Sequence, residues 1–396
     1  MSKSYNKNSL LSSPSIQLYQ NLLDKSISSA HFLPLPLLKF IPLISLALIQ
    51  SESIILSDLA SLIAPLKGIT VDSADRYLRY SLHNENYDFH AFYSFFIREI
   101  MSFFKVKHKD NKVLIALDHM YVEDRYTVLM FSLRIGKTGI PLWFKEFIYH
   151  DREAYLFPIF KESIKFCHDL VKLNNPDANI TFTADRWFGN HIKILDYIQI
   201  LGDHFVFRAK GLLLVLNYDQ RDQLYIWKSI NKLDSYTYKS KFYPHSLITR
   251  EHHFETNIVI SSSFNHKEPY YLLTNGEMES AVKDYSKRFG TIEFLFKAQK
   301  SNGFFLEETQ IKDLNTFGSL YTCICLAQTL VTILGIDHSK NNRCYKKIKI
   351  RTTKMVNNKR VRIYSYFHIG LIIVHYVWNA IHNEFELFKR LVLYDI

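Results

Sequence analysis

The sequence predicts an α/β protein in which a mixed sheet with flanking helices is interrupted by a β-rich insertion and preceded by a helical region. Apolar residues recur at helical spacing before residue 105, three strand-like runs follow, and helices then alternate with strands. Hydrophobic residues make up 47% and aromatic residues 15% of the chain, which are globular proportions with enough bulk for a substantial core. At 396 residues, two or three structural units are expected.

The first region, residues 1–105, is predicted to be helical and is a candidate DNA-binding region. Residues 56–63 carry apolar side chains at helical spacing, Lys67-Gly68 turns the chain, and residues 71–82 form a second predicted helix. This spacing is typical of a helix-turn-helix. Arg76 and Arg79 on the second helix could reach phosphates or base edges. An ordinary packed helix with a solvated basic face is the alternative.

Residues 106–210 and 276–336 are predicted to form one catalytic domain. Three antiparallel strands are expected at 113–122, 127–136 and 140–148, the last two joined by the turn Gly136-Lys137-Thr138-Gly139. A helix, a strand, a helix and a strand follow, which gives the order βββαβαβ. After the insertion, helices resume, and one strongly apolar helix is expected at 317–334.

The β-rich insertion is predicted at residues 211–275. Short strand-like runs at 212–216, 223–227, 258–261 and 270–273 are separated there by polar turns. This pattern indicates a module of its own within the catalytic domain.

The last region, residues 337–396, is predicted to be a basic segment followed by a helix. Residues 340–362 contain many cations and no acidic residue, and four of these cations are candidate DNA contacts: Lys346, Lys347, Lys349 and Arg351. With a net charge of +11 and a pI near 9.2, the protein is expected to bind a polyanion, and nucleic acid is favoured over an anionic membrane surface. A solvated charged face is the alternative.

Other classes of protein are disfavoured by the pattern. The long apolar run at 32–49 is broken by three prolines and a lysine, so neither a signal peptide nor a membrane-spanning helix is predicted, and a cytoplasmic protein without a membrane partner is expected. Four cysteines form no CxxC pair and no HExxH is present, so the sequence favours neither a zinc site nor a disulfide framework.

Three carboxylates are placed where this topology could bring them together. Asp118 lies in an apolar strand, where a charge is costly unless a metal or a cation is near. Asp185 directly follows the fourth strand and meets Asp118 if the two strands are neighbours, and Glu293 belongs to a later helix. Carboxylate oxygens suit Mg²⁺, for which Mn²⁺ is a substitute. On spacing alone, an arginine pair for Asp118 and a helix cap for Asp185 remain open.

Three segments of the sequence resemble those of a known family: Leu114-Ile115-Ala116-Leu117-Asp118, Ala184-Asp185-Arg186-Trp187-Phe188-Gly189, and Tyr285-x-x-Arg288 with Ile292-Glu293-x-x-Phe296-Lys297-x-x-Lys300. They are similar to the three blocks of bacterial insertion-sequence DDE transposases of the family-four type, whose third block carries a Tyr, Arg, Glu, Lys signature. The resemblance covers about residues 113–334. The tail segment Ser365-x-Phe367-x-x-Gly370-Leu371 also resembles a C-terminal motif of these enzymes.

The resemblance implies an RNase H-like fold and cut-and-paste transposition by a nucleoid-associated bacterial enzyme. Its substrates would be the terminal inverted repeats of an insertion sequence and target DNA, and a homodimer would form on the DNA. The implied catalytic and metal-binding residues are Asp118, Asp185 and Glu293. The implied phosphate contacts in the third block are Tyr285, Arg288 and Lys300. Lys297 is a further candidate, because it shares one helical face with Glu293 and Lys300. A catalytically inactive, transposase-derived DNA-binding protein is the other function that remains open.

The sequence departs from the family pattern at three places. His119-Met120 follows the first acid where relatives often carry a threonine two residues on, and Trp187 replaces a usual glycine. One extra residue separates Arg288 from Glu293. A five-residue step on an α-helix turns a side chain by about 140°. We therefore predict a π-bulge, kink or break between Phe289 and Ile292 that turns Arg288 toward Glu293. The alternative is a helix that starts at Thr291, with Arg288 in a loop.

Overall fold

A computed structural model describes residues 33–104, 111–148, 156–219, 223–236, 239–262, 268–340, 353–356, 359–362 and 364–382. They belong to two compact units. The sheet unit comprises Phe104–Tyr121 and Thr127–Phe294. The helical unit comprises the described residues up to Phe103, the segment Val122–Tyr126 and the described residues from Leu295 onward.

Ten strands form one sheet. They are β1 (Lys112–Val122), β2 (Tyr126–Ile135), β3 (Thr138–Ile148), β4 (Asn179–Ala184), β5 (His204–Arg208), β6 (Leu214–Asp219), β7 (Leu224–Ser229), β8 (Ser240–Ile248), β9 (Phe254–Ser261) and β10 (Tyr270–Thr274). Their order is β3-β2-β1-β4-β5-β10-β9-β8-β6-β7. β4 is parallel to both β1 and β5, whereas β10 is antiparallel to β5. The predicted mixed sheet is confirmed.

The predicted order βββαβαβ is also confirmed. β1 is a largely apolar run, and β4 is buried from Ile180 to Ala184, because parallel strands in the middle of a sheet bury both faces. Parallel strands need a crossover connection, and the helix α5 (Leu156–Asn174) precedes β4 while α6 (Ile192–Ile200) joins β4 to β5.

The sequence had suggested that the β-rich insertion is a module of its own. In the structure its strands instead continue the same sheet. β10 pairs with β5, so the strands from β6 to β10 extend the same ladder. The sequence also missed β8, which contains Pro244 and alternates poorly between apolar and polar residues. Proline in a strand marks an irregularity, and the register of β8 against β9 shifts between Tyr243 and Ser246.

One long helical run packs on the sheet unit and ends in the helical unit. It consists of α7 (Met278–Arg288), a π-helix (Phe289–Glu293) and α8 (Phe294–Lys300). α7 is held by apolar contacts with β5, β9 and β10. The buried cluster there consists of Val206, Val259, Leu272, Ala281 and Tyr285.

The helical unit contains the remaining helices and a short hairpin. They are α1 (Leu35–Ser51), α2 (Leu56–Lys67), α3 (Val71–His83), α4 (Phe89–Phe104), α9 (Leu314–Lys340), β11 (Thr353–Val356), β12 (Lys359–Arg362) and α10 (Tyr366–His382). The two predicted helices on either side of Gly68 are confirmed as α2 and α3. The backbone NH of Ser73 donates to Thr70 Oγ1 at 3.2 Å and so caps α3.

The tail motif around Gly370 packs two helices together. A Cβ atom on Gly370 would lie 1.9 Å from the carbonyl oxygen of Val331 on α9. Phe367 contacts Phe304 edge to face at 5.6 Å, and Ser365 Oγ accepts from the NH of His368 at 3.1 Å. This motif therefore has a packing role at the start of α10.

The division between the units differs from the predicted domain boundaries, which placed residues 276–336 wholly with the catalytic domain. α9 is apolar around much of its circumference, and it packs against α1 and α10 within the helical unit. Lys346, Lys347, Lys349 and Arg351 lie outside the described residues.

Although no spanning helix was predicted, one described helix, Leu314–Ser339, is long and apolar enough to cross a membrane by length and composition. Its apolar window is 89% buried within the structure, and the core helices of globular proteins pass the same test. α1 and α2 pass this test only as a pair, with a bend of 116° between them.

Candidate active site

Asp118 and Asp185 meet at one edge of the sheet because their strands are parallel neighbours. Leu117 on β1 lies opposite Ala184, the last residue of β4, and each aspartate is the next residue along the chain. The two carboxylates also interact electrostatically. Burial raises the pKa of Asp118, and the charge of Asp185 raises it further. The sequence analysis brought the two aspartates together only if their strands were neighbours, and the pairing of β1 with β4 shows that they are.

The helix that carries the third acid contains the bulge that the sequence predicted. Residues Phe289–Glu293 form a π-helix between α7 and α8, so the alternative of a helix starting at Thr291 is wrong. In a π-helix the bonding step is five residues, which brings residues five apart onto one side. Arg288 Nη1 accordingly donates to Glu293 Oε1 at 3.3 Å.

Two neighbouring strands hold this bulge in place. Arg134 on β2 donates from Nη1 to the carbonyl oxygen of Lys287 at 2.7 Å and to Thr291 Oγ1 at 3.1 Å. A Cβ atom on Gly139 would lie only 2.1 Å from the carbonyl oxygen of Thr291, so glycine permits the close approach of β3. The sequence missed both roles, because Gly139 had been assigned to a turn and lies in β3.

Arg288 is a buried cation between two of the acids. Only 4% of the residue is exposed, and Nη2 donates to Asp118 Oδ2 while Nη1 donates to Glu293. Its Nε has no partner among the described residues. An unsatisfied buried donor costs free energy, so the guanidinium is held here chiefly by the charges of the acids.

The negative charge near Asp118 exceeds the positive charge of Arg288. Burial raises the pKa of Asp118 to about 6 against the opposing charge of Arg288, and the charges of Asp185 and Glu293 raise it further. Burial also raises the pKa of Glu293, and Arg288 opposes this. Asp118 therefore has one guanidinium and two further carboxylates near it, and a further cation would relieve this surplus of negative charge.

The donor set suits a hard divalent cation, because all three side chains offer carboxylate oxygens. As they stand, no three Asp, Glu, His or Cys side chains in the described part of the chain are arranged to hold a metal. Arg288 bridges Asp118 and Glu293, so a metal shared by all three acids requires Arg288 to release at least one of them.

The two other departures from the family pattern contact each other. The ring of His119 lies 4.6 Å from that of Trp187 and 4.8 Å from that of Phe188. Burial lowers the pKa of His119 to about 3, so this imidazole is neutral. The backbone NH of Trp187 donates to Asp185 Oδ1 at 3.0 Å. The aromatic packing thus fixes the turn that orients Asp185.

Tyr285 is buried beside the acids rather than at the surface. Its residue is 2% exposed, burial raises the pKa of its hydroxyl, and the charges of Arg288 and Arg208 oppose this. Arg208 was missed by the sequence analysis, although it ends β5 at the sheet edge where sites of α/β proteins form. Its guanidinium lies 4.7 Å from the centre of the Tyr270 ring. Phosphate contact by Tyr285 stays a prediction.

The remaining candidate cations lie in the helical unit, and their DNA contacts stay predictions. Lys297 is exposed on α8, whereas Lys300 Nζ pairs with Glu307 Oε1 at 2.7 Å. Arg76 is exposed on α3, and Arg79 Nε donates to Asp75 at 2.7 Å one turn away. Lys300 and Arg79 are thus partly neutralised in the absence of DNA.

No family model matches the chain, and no curated protein matches it. Among solved structures, the chain is similar to Marinitoga piezophila Argonaute in complex with 5′ OH guide RNA and target DNA, at 12% identity and a TM-score of 0.24. The match covers 59% of this chain and 34% of the Argonaute chain. A likeness of this size assigns neither fold nor function.

Proposed function

We propose that the protein is a DNA transposase that catalyses metal-dependent strand cleavage and strand transfer at the terminal inverted repeats of an insertion sequence. The observation that carries the proposal is the meeting of Asp118, Asp185 and Glu293 at one sheet edge, where Arg288 donates to Asp118 and to Glu293. The π-helix adds support, because it restores the neighbourhood of Arg288 and Glu293 despite the extra residue.

The topology is consistent with an RNase H-like core. Two hairpins build β1 to β3, and two crossovers then place β4 and β5 parallel to β1 on its other side. The acids stand on neighbouring strands and a helix packed on the same sheet, so the backbone holds them in fixed positions. Such rigid support is what a site for phosphoryl transfer requires.

Asp118, Asp185 and Glu293 would hold Mg²⁺ or Mn²⁺. When bound, the metal supplies activation of a water or a 3′-hydroxyl and stabilises the leaving oxygen of an in-line displacement. Arg288, released from one of its carboxylates, can turn a donor toward a phosphate oxygen, since its guanidinium is already at the site. The turn at Trp187 keeps Asp185 oriented while this happens.

The substrate of this proposal is double-stranded DNA, bound by two copies of the chain at paired element ends. The net charge of +11 supports a polyanionic partner, and the exposed Arg76 on the second helix of the helix-turn-helix supports contact with a groove. The basic segment before β11 would add phosphate contacts.

A second candidate is a transposase-derived DNA-binding protein without catalysis. It is favoured by one observation, which is that Arg288 already neutralises two of the three acids. The two functions differ in whether a divalent cation can enter the cluster.

The test is an end-labelled duplex carrying the DNA that flanks the gene, incubated with the full chain. We expect nicks or double-strand breaks at the element end with Mg²⁺ or Mn²⁺ and none in excess chelator. The Asp118→Asn variant should bind the duplex as the unmodified chain does and leave it uncut. Binding without cleavage by the unmodified chain in both metals would support the second candidate, and cleavage in chelator would contradict the proposal.

A further inference from the structure

Two adjoining cavities open in the sheet unit next to the acids. The larger has a volume of about 790 Å³ and the smaller about 400 Å³. They share Lys210 and Leu212 in their walls, so they adjoin, and together they are called the groove here. Arg186, which follows Asp185 in the chain, lines the smaller cavity, so the groove begins beside the proposed catalytic acids.

Five cations that have no carboxylate partner in the described part of the chain line this groove. They are Arg186, Lys193, Arg208, Lys210 and Arg250. Among the described residues, none of the five has a carboxylate within ion-pair distance, although Glu251 and Glu268 also line the walls. Elsewhere in the sheet unit, Lys165 and Lys241 are by contrast paired with Asp169 and Asp234. Cations left unpaired in a concave site repel one another until an anion binds.

The larger cavity also has an aromatic wall. Phe157, Phe160 and Trp187 line it. Leu212, at the junction of the two cavities, is 77% exposed, which leaves an apolar surface open to solvent. Cations that follow a backbone beside rings on which bases stack are the combination that binds single-stranded nucleic acid.

We propose that this groove binds a single DNA strand, with the phosphates on the five cations and an unpaired base against the aromatic wall. The cavity has the volume of a small-ligand site, which accommodates a nucleotide but not a duplex. Because the groove begins beside Asp185, the bound strand is the one that continues from the cleaved phosphate. Only this last statement rests on the proposed transposase function.

The binding is tested on the full chain in chelator, so that no cleavage occurs. The probe is a fluorescein-labelled 12-nucleotide oligothymidylate, titrated by anisotropy over a series of salt concentrations. In the double variant Lys210→Ala/Arg250→Ala we expect affinity to fall about tenfold or more and the salt slope to drop by about 1.4, since each phosphate contact on a single strand contributes about 0.7.

A matched control removes the same charge from paired cations. Lys165→Ala/Lys241→Ala deletes two lysines of the same unit that are bound to aspartates, and it should leave affinity and slope within twofold of the unmodified chain. Lys210→Arg/Arg250→Lys keeps the charges and should retain binding. Equal losses in the double variant and in the matched control would overturn the groove assignment, because they would reflect net charge alone.

The contribution of the bases is measured with a strand of the same length that carries abasic sites. Weaker binding of the abasic strand by fivefold or more supports the aromatic wall, and equal binding overturns that part of the proposal. Loss of oligothymidylate binding in a double variant that still binds duplex normally supports a single-strand site, whereas parallel losses on both substrates overturn it.

These results are independent of catalysis. If the chain binds oligothymidylate through the groove but never cuts DNA, the groove proposal is supported and the transposase proposal is contradicted. If the chain cuts DNA but the double variant binds oligothymidylate normally, the transposase proposal is supported and the groove proposal is contradicted.

Discussion

Two carboxylate clusters along α7 differ in their ratio of acids to cations. Asp284 has a side chain that is 3% exposed and receives hydrogen bonds from Lys112 and Lys287. Burial alone would raise its pKa, yet the two ammonium groups hold that pKa below the ordinary value. One turn further along the same helix, Arg288 donates to Asp118 and Glu293, and burial raises the pKa of Asp118 to about 6.

The difference separates a carboxylate that is fully paired from the carboxylates that we propose to bind a metal. Two cations around one acid leave no demand for a further cation, so the Asp284 cluster is complete as a joint between α7 and β1. Three acids around one cation leave such a demand. Burial is common to both clusters, and the local charge balance distinguishes them.

The largest expected effect is on DNA cleavage. Asp118→Asn, Asp185→Asn and Glu293→Gln should each lower the rate of metal-dependent cleavage by about 10³-fold or more, because each removes a proposed ligand while keeping the side-chain shape. The Asp284→Asn variant should cleave DNA at a rate within a few-fold of that of the unmodified chain. Rates from single-turnover assays on the end duplex decide this, and a normal rate for any of the three would remove that residue from the site.

The next largest effect is on stability. Asp284→Asn leaves Lys112 and Lys287 without their carboxylate, and we expect the free energy of unfolding to fall by about 2 kcal/mol. Asp118→Asn should lower the free energy of unfolding by less than Asp284→Asn does, because it also removes the repulsion of Asp118 by Asp185 and Glu293. Urea unfolding followed by circular dichroism compares the two variants, and equal losses would contradict the distinction.

A smaller effect is expected on metal affinity. Arg288→Met removes the cation that competes with a metal, so Mn²⁺ should bind about tenfold more tightly in the absence of DNA, whereas Arg288→Lys keeps the charge and should change affinity less. Calorimetric titration measures both. Weaker Mn²⁺ binding by Arg288→Met would mean that Arg288 helps to assemble the metal site.

The smallest effect is on the pH dependence of stability without metal. The folded-state pKa of Asp118 lies near 6, above its ordinary 3.8, so acidification from pH 7 to 4 stabilises the fold through this group. The pKa of Asp284 is lowered, so its contribution persists down to pH 4 and is lost only below it. The difference in Tm between Asp118→Asn and the unmodified chain should therefore shrink between pH 7 and 4. The difference in Tm between Asp284→Asn and the unmodified chain should stay constant between pH 7 and 4. A difference that shrinks over this range would contradict the lowered pKa of Asp284.

Much of the sheet could be predicted from the sequence because buried strands leave a local pattern. β1 is an apolar run of strand length, β4 alternates apolar residues with threonines, and hairpin turns separate β1 from β2 and β2 from β3. β8 left no such pattern, since Pro244 and polar residues interrupt it. The pairing of β10 with β5 was out of reach because a strand does not reveal its partner.

The same contrast applies to the candidate site. Asp118 and Asp185 were placed together because residues that follow neighbouring parallel strands share an edge. The π-helix was predictable because one extra residue has few ways to fit a helix. Arg134 and Arg208 were not predictable, since their partners come from segments distant in the chain.

The π-helix also bears on how this site can vary through evolution. Inserting one residue into an α-helix would ordinarily rotate everything beyond it by about 100° relative to what precedes it. Here the widened turn absorbs the extra residue between Arg288 and Glu293, so the two side chains still meet. A pattern that counts residues between the arginine and the glutamate would pass over this helix. In this fold, descent is therefore better traced through which side chains meet than through the number of residues that separate them.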